Sequence, residues 1–382
     1  MRPSADAVVI GGGVVGAAIA YNLLKSGMKS VVLCEKSTFA SGSTGRCGAG
    51  VREQWGAEHN IRLAKASIDM FEHLAEELGY DQDIEFKQKG YLILAHTEKE
   101  WDQFKKNVEL QHRLGVNSML LTPEEAKDIV PALNTEGMLG ATYNSRDGHA
   151  NPFHTTRAFL QAARRLGGDI CFFTEVTGIE LEAGKVKRVR TSRGNISSPV
   201  VVNAAGPWAA VVAKMVGVDL PVYTQRHQIL VTEPVGWFLD PMVMSFSIGI
   251  YCQQTPHGSV VMGIGDPDEP KGYDTGHSWQ FLREMASIVC RLLPVLRDVR
   301  VVRQWSGLYT MTPDAHPILG KVPGVDGYYQ AVGFSGHGFM LAPVVGRLLS
   351  EMILGKQPFI DISGLDLGRF ERGEYMVEPS VV

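Results

Sequence analysis

The sequence has few cysteines, and none of them belongs to a closely spaced pair. Among its 382 residues there are five cysteines, scattered at positions 34, 47, 171, 252 and 290. Such a set supports neither a disulfide framework nor a zinc or iron–sulfur site. We therefore expect no metal centre. Cys34 and Cys171 lie in strand-like runs, and we expect them to be buried apolar residues.

A net positive charge and long apolar runs are also missing. The formal net charge is −4, which gives no electrostatic reason to expect nucleic acid as a partner. No apolar stretch approaches the ~18 residues of a transmembrane helix. The first four residues lead straight into a strand-like run, which leaves no room for a removable signal peptide. These features predict a cytoplasmic protein without a transmembrane segment, long enough for two domains.

The start of the chain has the pattern of a dinucleotide-binding unit. Residues 7–10 are typical of a buried strand, residues 11–16 form a glycine-rich turn before an apolar helix, and a second strand ends on Glu35. In such a unit Glu35, about 20 residues beyond the last glycine, accepts hydrogen bonds from ribose hydroxyls and repels a 2′-phosphate. The pattern therefore predicts a bound dinucleotide other than NADP.

Each position of the turn has a separate physical role. Gly11 allows the tight turn, Gly13 lets the backbone approach a pyrophosphate, and Gly16 lets the helix pack on the strand. The first helical residues, Val14 and Val15, lie where free N–H groups and a partial positive charge favour an anion. We therefore place all five residues in the cofactor site.

Periodicity and turn signals predict the remaining elements. Helices are expected at 57–78, 98–114, 151–166, 276–293 and 336–354. Two further helices are expected to begin at the capping box of residues 122–125 and at Pro207. Strands are expected at 85–95, 176–181, 186–191 and 199–206, and in most of 225–263. Residues 200–202 and 328–334 are expected to return the chain to the first sheet.

Two further glycine-rich stretches have the composition of ligand-binding loops. In residues 41–50, small side chains and hydroxyls let the backbone approach a flat or phosphorylated ligand. A flexible surface loop is the alternative. Residues 333–340 open the last helix, whose N-terminus would stabilise negative charge, such as the charge that develops at the N1–C2=O edge of a reduced flavin. Glycines for close packing are the alternative there.

These stretches carry a resemblance to a known family. The sequence resembles the FAD-dependent amine and imino acid oxidoreductases of the D-amino-acid-oxidase-like superfamily over essentially its whole length. It is most similar to the sarcosine oxidase group, which includes catalytic beta subunits of dye-linked L-proline dehydrogenases and heteromeric sarcosine oxidases. The motifs are residues 42–48, 51–55, 202–208, 307–310 with 313–314, and 333–340.

The resemblance implies an α/β fold, α+β overall, with two domains. A Rossmann-like FAD-binding domain would comprise residues 1–84, 148–218 and 302–382. A discontinuous substrate-binding domain on an antiparallel or mixed sheet would comprise residues 85–147 and 219–301.

Four residues match active-site positions of this group. Arg52 matches the arginine that binds the substrate carboxylate, a task that suits a planar guanidinium. Tyr251 and Tyr309 match active-site tyrosines, and His337 matches a histidine beside the flavin. Each residue also has a structural alternative. Arg52 would form a salt bridge, either tyrosine would be a core residue, and His337 would cap a helix.

The FAD-binding set implied by the resemblance extends along the whole chain. Besides the first turn and Glu35, it comprises Lys36, Ser43, Thr44, Arg46, Cys47, Gly48, Val176, Ala204, Ala205, Gly206, Trp208, Gly307, Gly333, Gly336, His337, Gly338, Phe339 and Met340.

Departures from the family pattern are equally informative. Gly307 replaces the cysteine that attaches FAD, so FAD is expected to be noncovalent. Met340 replaces a second carboxylate-binding lysine, and Val261 replaces the lysine that activates oxygen. Pro152 replaces the histidine that attaches FMN, with His149 and His154 out of register. Covalent FMN is thus not expected, whereas noncovalent FMN at a subunit interface stays open.

The resemblance predicts oxidation of a secondary amino acid by hydride transfer to flavin N5. L-Proline is the first expectation, before sarcosine, hydroxyproline and opines. Because no cation stabilises superoxide at position 261, a dehydrogenase that passes electrons to a partner subunit is favoured over an oxidase. An oxygen-using oxidase of the glycine oxidase type and a non-catalytic flavoprotein assembly factor are the alternatives.

Overall fold

The computed structural model describes residues 1–266 and 268–379. Within them the strands are β1 (Ala7–Ile10), β2 (Val31–Cys34), β3 (Gly50–Val51), β4 (Tyr91–Ala95), β5 (Met119–Leu121), β6 (Gly140–Asn144), β7 (Gly148–His149), β8 (Asp169–Cys171), β9 (Val176–Glu182), β10 (Lys185–Thr191), β11 (Gly194–Ser197), β12 (Val201–Asn203), β13 (Tyr223–Thr232), β14 (Met242–Ser245), β15 (Ile250–Gln254), β16 (Val260–Ile264), β17 (Val301–Met311), β18 (Ile318–Lys321) and β19 (Tyr328–Val332). The α-helices are α1 (Val14–Lys25), α2 (Glu58–Phe71), α3 (Leu74–Glu77), α4 (Glu98–Arg113), α5 (Pro123–Ile129), α6 (Pro152–Arg165), α7 (Ala209–Lys214), α8 (Trp279–Leu292) and α9 (Gly338–Ile353).

A six-stranded sheet holds the glycine-rich turn at the start of the chain. Its order is β18-β19-β12-β1-β2-β8, parallel throughout except for β18. The four residues of β1 and of β2 are all buried, as expected for parallel strands covered on both faces. Helix α1 packs against α6 and α9. Gly346 of α9 permits this close approach, because a Cβ there would lie 2.8 Å from the Cβ of Ala18.

An eight-stranded mixed sheet forms the second large layer. Its order is β17-β13-β16-β15-β14-β4-β6-β5, antiparallel apart from the β14–β4 pair. Alternate residues on one face, such as Leu92, Val243 and Cys252, pack with Phe281 and Met285 of α8 in an apolar core. The opposite face carries the candidate site.

Two small sheets complete the described residues. Strands β9, β10 and β11 form an antiparallel three-stranded sheet, and β3 pairs with β7. The β3–β7 pair fixes the start of the segment that contains Arg52. Among the described residues no helix is long and apolar enough to cross a bilayer.

Several predictions from sequence are confirmed, and others need correction. Residues 200–202 and 328–334 do return the chain to the first sheet, and Cys34 and Cys171 are buried. The capping box opens α5, and Asn151 caps α6. The predicted helix at 57–78 is interrupted between α2 and α3, although no glycine or proline stands at the break.

Several elements were predicted to begin too early, among them the helix predicted at 276–293, which begins at Trp279 because Ser278 caps it. The strand predicted at 85–95 begins only at Tyr91, because Glu85 and Gly90 have positive φ and bend the chain. A short 3₁₀ turn over Gly206–Trp208 precedes α7. The last helix begins at Gly338, because Gly336 has a φ of 95°.

Strand β17 lies in the eight-stranded sheet, although residues 302–382 were assigned to the FAD-binding domain. The domain limits themselves remain a prediction.

Candidate active site

The glycine-rich turn has the close backbone contacts that its sequence predicts. Gly11 has a φ of 118°, and a Cβ there would collide with the carbonyl of Ala204. A Cβ on Gly16 would collide with the carbonyl of Gly11. Gly13 is the N-cap of α1 and has no side chain to bond the helix start, while the N–H of Val14 donates to Thr44 Oγ1 at 3.2 Å. The N–H groups at this helix start, including that of Val15, precede the first intrahelical bonds and are suited to bind an anion.

Two of the predicted cofactor residues, Glu35 and Lys36, directly follow β2. Glu35 accepts hydrogen bonds from the N–H of Gly12 at 2.7 Å and of Ser37 at 2.8 Å, one on each oxygen. A carboxylate has further acceptor capacity on both oxygens. The ammonium of Lys36 lies 3.3 Å from the centre of the Trp208 ring.

The other residues predicted at this end lie close by. Ala205 and Gly206 follow Ala204 directly after β12, and Gly206 has a φ of 53°. The side chain of Val176 belongs to the apolar core with Cys34 and Cys171.

The loop of residues 41–50 is fastened to strand β17. The hydroxyl of Ser43 donates to the carbonyl of Leu308 at 2.7 Å, and Arg46 Nη1 donates to the carbonyl of Ser306 at 3.0 Å. In return, Trp305 Nε1 donates to the carbonyl of Arg46 at 3.1 Å. These bonds fix the loop, which is therefore not a free surface segment.

Within the same loop, Cys47 is a partly buried thiol. Its Sγ donates to the carbonyl of Thr44 at 3.0 Å, and burial raises the pKa of the thiol to about 11. Cys47 therefore stays protonated at neutral pH and has little nucleophilic character.

Three rings form a parallel stack on the open face of the eight-stranded sheet. The imidazole of His227 lies between Tyr309, with ring centres 4.6 Å apart, and Tyr251, at 5.7 Å; the interplanar angles are 8° and 14°. We call these three residues the aromatic stack. Burial lowers the pKa of His227 to about 4, so the imidazole is neutral at pH 7. Its Nε2 is buried and has no hydrogen-bond partner among the described residues.

Glycines from both predicted loops contact the aromatic stack. A Cβ on Gly48 would lie 3.1 Å from the Tyr251 ring, and a Cβ on Gly336 would lie 2.8 Å from the Tyr309 ring. Gly307 lies opposite His227 in the β13–β17 register. A Cβ there would lie 3.3 Å from the Cβ of Arg46. The structure thus brings the second and third glycine-rich stretches to the same place as both predicted tyrosines.

Arg52 is a buried cation that forms no ion pair with a carboxylate in the described part of the chain. Its side chain is 2 % exposed, and no carboxylate of the described residues lies within ion-pair distance. Its Nη1 donates to the carbonyl of Gln54 at 2.5 Å, and its guanidinium carbon lies 3.8 Å from the centre of the Trp55 ring. Burial lowers the pKa of Arg52, although such a group stays charged. A buried, unpaired guanidinium is costly unless an anion binds it.

A buried carboxyl group supports the segment that contains Arg52. Asp147 Oδ1 accepts the N–H of Glu53 at 2.7 Å, and Oδ2 accepts Gln54 Nε2 at 2.8 Å. Asp147 is fully buried, and this burial raises its pKa to about 8. Asp147 thereby holds both the backbone of Glu53 and the side chain of Gln54, the two residues that follow Arg52.

His337 belongs to the same neighbourhood. Its ring meets Trp55 edge to face, with centres 4.5 Å apart. Burial, and then the charge of Arg52, hold the pKa of His337 well below its usual value. Its side chain makes no capping bond to α9, which disfavours the helix-capping alternative.

The remaining residues predicted at the start of α9 have backbone or packing roles. Gly333 has a φ of 72°, and Gly338 begins the helix. Phe339 packs against Phe71 with ring centres 5.7 Å apart. The carbonyl of Met340 accepts the hydroxyl of Ser67.

Sequence reasoning missed His227, Trp55 and Asp147. The only signal for His227 is alternation, since odd-numbered residues of β13 share a face with Tyr309 and Gly307. Trp55 stands in a motif that was recognised, but its position between Arg52 and His337 depends on tertiary packing. Asp147 immediately precedes β7, and nothing local indicates burial.

Comparisons with known proteins agree with this geometry. Residues 6–352 match the family described as DAO, FAD dependent oxidoreductase. The sequence is 33 % identical to the sarcosine oxidase subunit beta of Arthrobacter sp., over 99 % of this chain and 94 % of that protein. The crystal structure of L-proline dehydrogenase from P. horikoshii superposes with a TM-score of 0.94 at 40 % identity, covering 98 % of this chain and 100 % of that one. Glycine oxidase from Geobacillus kaustophilus has a TM-score of 0.89 at 28 % identity, with coverage of 96 % and 99 %.

The chain belongs to the DAO family of FAD-dependent oxidoreductases. The residues described above fit FAD. Gly13 places no side chain over the start of α1, which leaves backbone N–H groups such as that of Val15 for a pyrophosphate, and Glu35 has acceptor capacity for a ribose. The 41–50 loop, β17 and the start of α9 converge on the aromatic stack, where a flat ring system would lie.

Proposed function

We propose that this protein oxidises a secondary amino acid at its C–N bond, with L-proline as the first candidate and sarcosine next. The observation that supports the proposal most strongly is the buried guanidinium of Arg52, which lacks an acidic partner among the described residues. The similarity to an L-proline dehydrogenase and to a sarcosine oxidase subunit beta supports the substrate class.

The chain's own residues would bind and orient the substrate. Arg52 would hold the carboxylate through paired hydrogen bonds, with its guanidinium over the Trp55 ring and His337 edge to face with that ring. Tyr251, Tyr309 and His227 would form one wall for the substrate. FAD, when bound noncovalently, supplies the acceptor for the hydride that leaves the carbon beside nitrogen. Fixing the substrate between these groups is an orientation effect.

The aromatic stack does not provide a strong base. An imidazole whose pKa is about 4 is too weak to take a proton from an alkylammonium ion, whose pKa lies near 10. We infer that the substrate reacts as the minor neutral amine. The rate constant kcat/KM should therefore rise with pH toward the pKa of the amine.

The electron acceptor is proposed to be a partner subunit. Val261 pairs with Gln253 in β15, on the face that also carries Tyr251. An apolar residue there offers no charge to stabilise superoxide. Resemblance to a protein named as a beta subunit supports a heteromer. The proposal includes FMN bound at the interface with that subunit. This FMN would be noncovalent, because Pro152 cannot form a covalent attachment.

An oxygen-using amino acid oxidase is the second candidate. The similarity to glycine oxidase, at 28 % identity over nearly the whole chain, favours it. The two candidates differ in the fate of the reduced enzyme in air.

Anaerobic flavin bleaching tests the proposal. The FAD-loaded protein would be mixed with L-proline, D-proline, sarcosine, hydroxyproline or an opine, and the flavin absorbance would be followed before and after air is admitted. Bleaching by one compound with slow reoxidation supports a dehydrogenase. Fast reoxidation with peroxide supports the oxidase. Absence of bleaching by every compound, with stoichiometric FAD, would support the assembly-factor alternative. Chromatography of the released flavins distinguishes FAD alone from FAD with FMN.

A further inference from the structure

A glutamate near the end of the sequence contacts the segment that contains Arg52. Glu378 Oε1 accepts the N–H of Gly56 at 2.7 Å, and its Oε2 accepts the N–H of Ala57 at 3.3 Å and Asn60 Nδ2 at 2.7 Å. These three donors lie at the start of α2. One carboxylate from a distant part of the sequence thus binds the backbone immediately after Trp55.

Helix α2 has no side-chain cap of its own. Its N-cap residue is Ala57, which provides no side-chain hydrogen bond. A carboxylate at this place satisfies free N–H groups and interacts favourably with the helix dipole. By accepting the N–H of the N-cap residue Ala57, Glu378 replaces the glutamate that a capping box places within the helix itself.

The start of α2 is linked directly to the guanidinium of Arg52. Trp55 Nε1 donates to the carbonyl of Arg52 at 3.2 Å, and the Trp55 ring lies under the guanidinium. The carbonyl of Trp55 accepts Gln111 Nε2 at 2.7 Å. A displacement of Gly56 would therefore move Trp55, and with it the surface on which Arg52 rests.

The segment that contains Glu378 is itself held in place. The N–H of Met376 donates to Asp314 Oδ2 at 3.3 Å. Asp314 forms an ion pair with Arg369 in which both side chains are buried, at 2.8 Å. Asn60 Nδ2 also lies 3.0 Å from His316 Nε2. The segment that carries Glu378 is thus tied through Met376 to the buried Asp314–Arg369 pair.

We propose that Glu378 is a positioning residue for substrate carboxylate binding, acting through Gly56 and Trp55 on Arg52. This inference rests on the proposed function, in which Arg52 binds the carboxylate. Two effects of Glu378 act in opposite directions. Its hydrogen bonds hold the Arg52 segment, whereas its negative charge disfavours a second carboxylate nearby. Against the larger effect of burial, the charge of Glu378 raises the pKa of Arg52, while its carboxylate oxygens accept the hydrogen bonds from Gly56, Ala57 and Asn60, and we expect these hydrogen bonds to dominate.

Binding of an acid that cannot be oxidised tests the inference without turnover. The probe is tetrahydrofuran-2-carboxylate, in which oxygen replaces the reacting nitrogen of proline, and its neutral carboxamide is the matched probe. Dissociation constants would be measured on the FAD-loaded protein from flavin difference spectra. The variants are E378Q, the shorter carboxylate E378D, and E371Q as a control that removes an exposed acidic group of the same region.

The expected result is that E378Q weakens binding of the carboxylate about tenfold, while the carboxamide and the FAD content stay unchanged. E378D should restore part of the affinity, and E371Q should match the wild type. Unchanged or tighter carboxylate binding in E378Q overturns the inference, as does an equal loss for both probes. If R52K also binds the carboxylate like the wild type, the proposed function fails. If R52K weakens binding and E378Q does not, only the role of Glu378 fails.

Discussion

The imidazole of His227 lies parallel to the ring of Tyr309, with their centres 4.6 Å apart and an angle of 8° between the planes. The two residues come from neighbouring antiparallel strands and are diagonal partners in the register, which pairs His227 with Gly307. A Cβ at Gly307 would meet Arg46 rather than the rings of the stack.

Replacement of His227 tests whether stacking or proton transfer is its role. H227F keeps a flat ring between the tyrosines, so we expect kcat/KM within about threefold of the wild type. H227A removes both ring contacts, each worth about 0.5–1.5 kcal/mol, so we expect lower stability and a roughly tenfold or larger loss in kcat/KM. Urea unfolding and steady-state kinetics measure these effects. Equal, large losses in both variants would indicate that the imidazole itself takes part in the reaction.

Four groups with large pKa shifts contribute to the pH dependence of stability. Burial lowers the pKa values of His59, His149 and His227 to about 4 and raises the pKa of Asp147 to about 8. Between about pH 4 and 6.5 the unfolded chain binds more protons at the histidines, so their contribution rises with pH. Between about pH 4 and 8 the folded chain binds more protons at Asp147, so that contribution falls with pH.

We therefore expect these groups to give maximal stability near pH 6.5, measured as Tm across pH 4.5 to 8.5. H149Q should reduce the rise of Tm with pH on the acid side of this maximum. H257Q, which replaces an exposed histidine, is the control and should keep the wild-type slope. A curve of H149Q with the full wild-type slope would contradict the assignment.

Gly336 should not tolerate a side chain, for two separable reasons. It has a φ of 95°, and a Cβ would lie 2.8 Å from the Tyr309 ring. Gly355 has a φ of 70° with no atom within 4 Å of its Cβ position, so G355A isolates the backbone cost of roughly 1–2 kcal/mol. G336A should lose more stability and should weaken FAD binding as well. Fluorescence titration with FAD measures the affinity, and equal behaviour of both variants would rule out the contact with Tyr309.

A cation at position 261 should raise oxygen reactivity. V261K places a positive charge on the face that carries Tyr251, where it would stabilise superoxide. Reoxidation of the reduced enzyme in air should accelerate about tenfold or more, with V261M as an uncharged control of similar length. Stopped-flow absorbance records the rate. No acceleration in V261K would mean that Val261 does not determine the choice of acceptor.

Local patterns in the sequence predict the glycine-rich turn well, because Gly11 and Gly16 are required by contacts within one strand–turn–helix unit. Resemblance identified Tyr251 and Tyr309, yet not their stacking with His227, which depends on the register of four strands. The Tyr251 ring lies over Gly263, its partner in the neighbouring strand, and this pairing depends on the folded sheet. The contact between Glu378 and Gly56 joins segments 322 residues apart, and no local pattern indicates it.

Anaerobic reduction by L-proline and by pyrrolidine, which lacks the carboxylate, tests the role of Arg52 most directly. The rate of flavin bleaching would be compared between the wild type and R52K. We expect L-proline to react far faster than pyrrolidine in the wild type, and R52K to slow L-proline about 10- to 100-fold while leaving pyrrolidine unchanged. Equal rates for L-proline in both proteins, or an equal loss for both amines, would contradict carboxylate binding by Arg52.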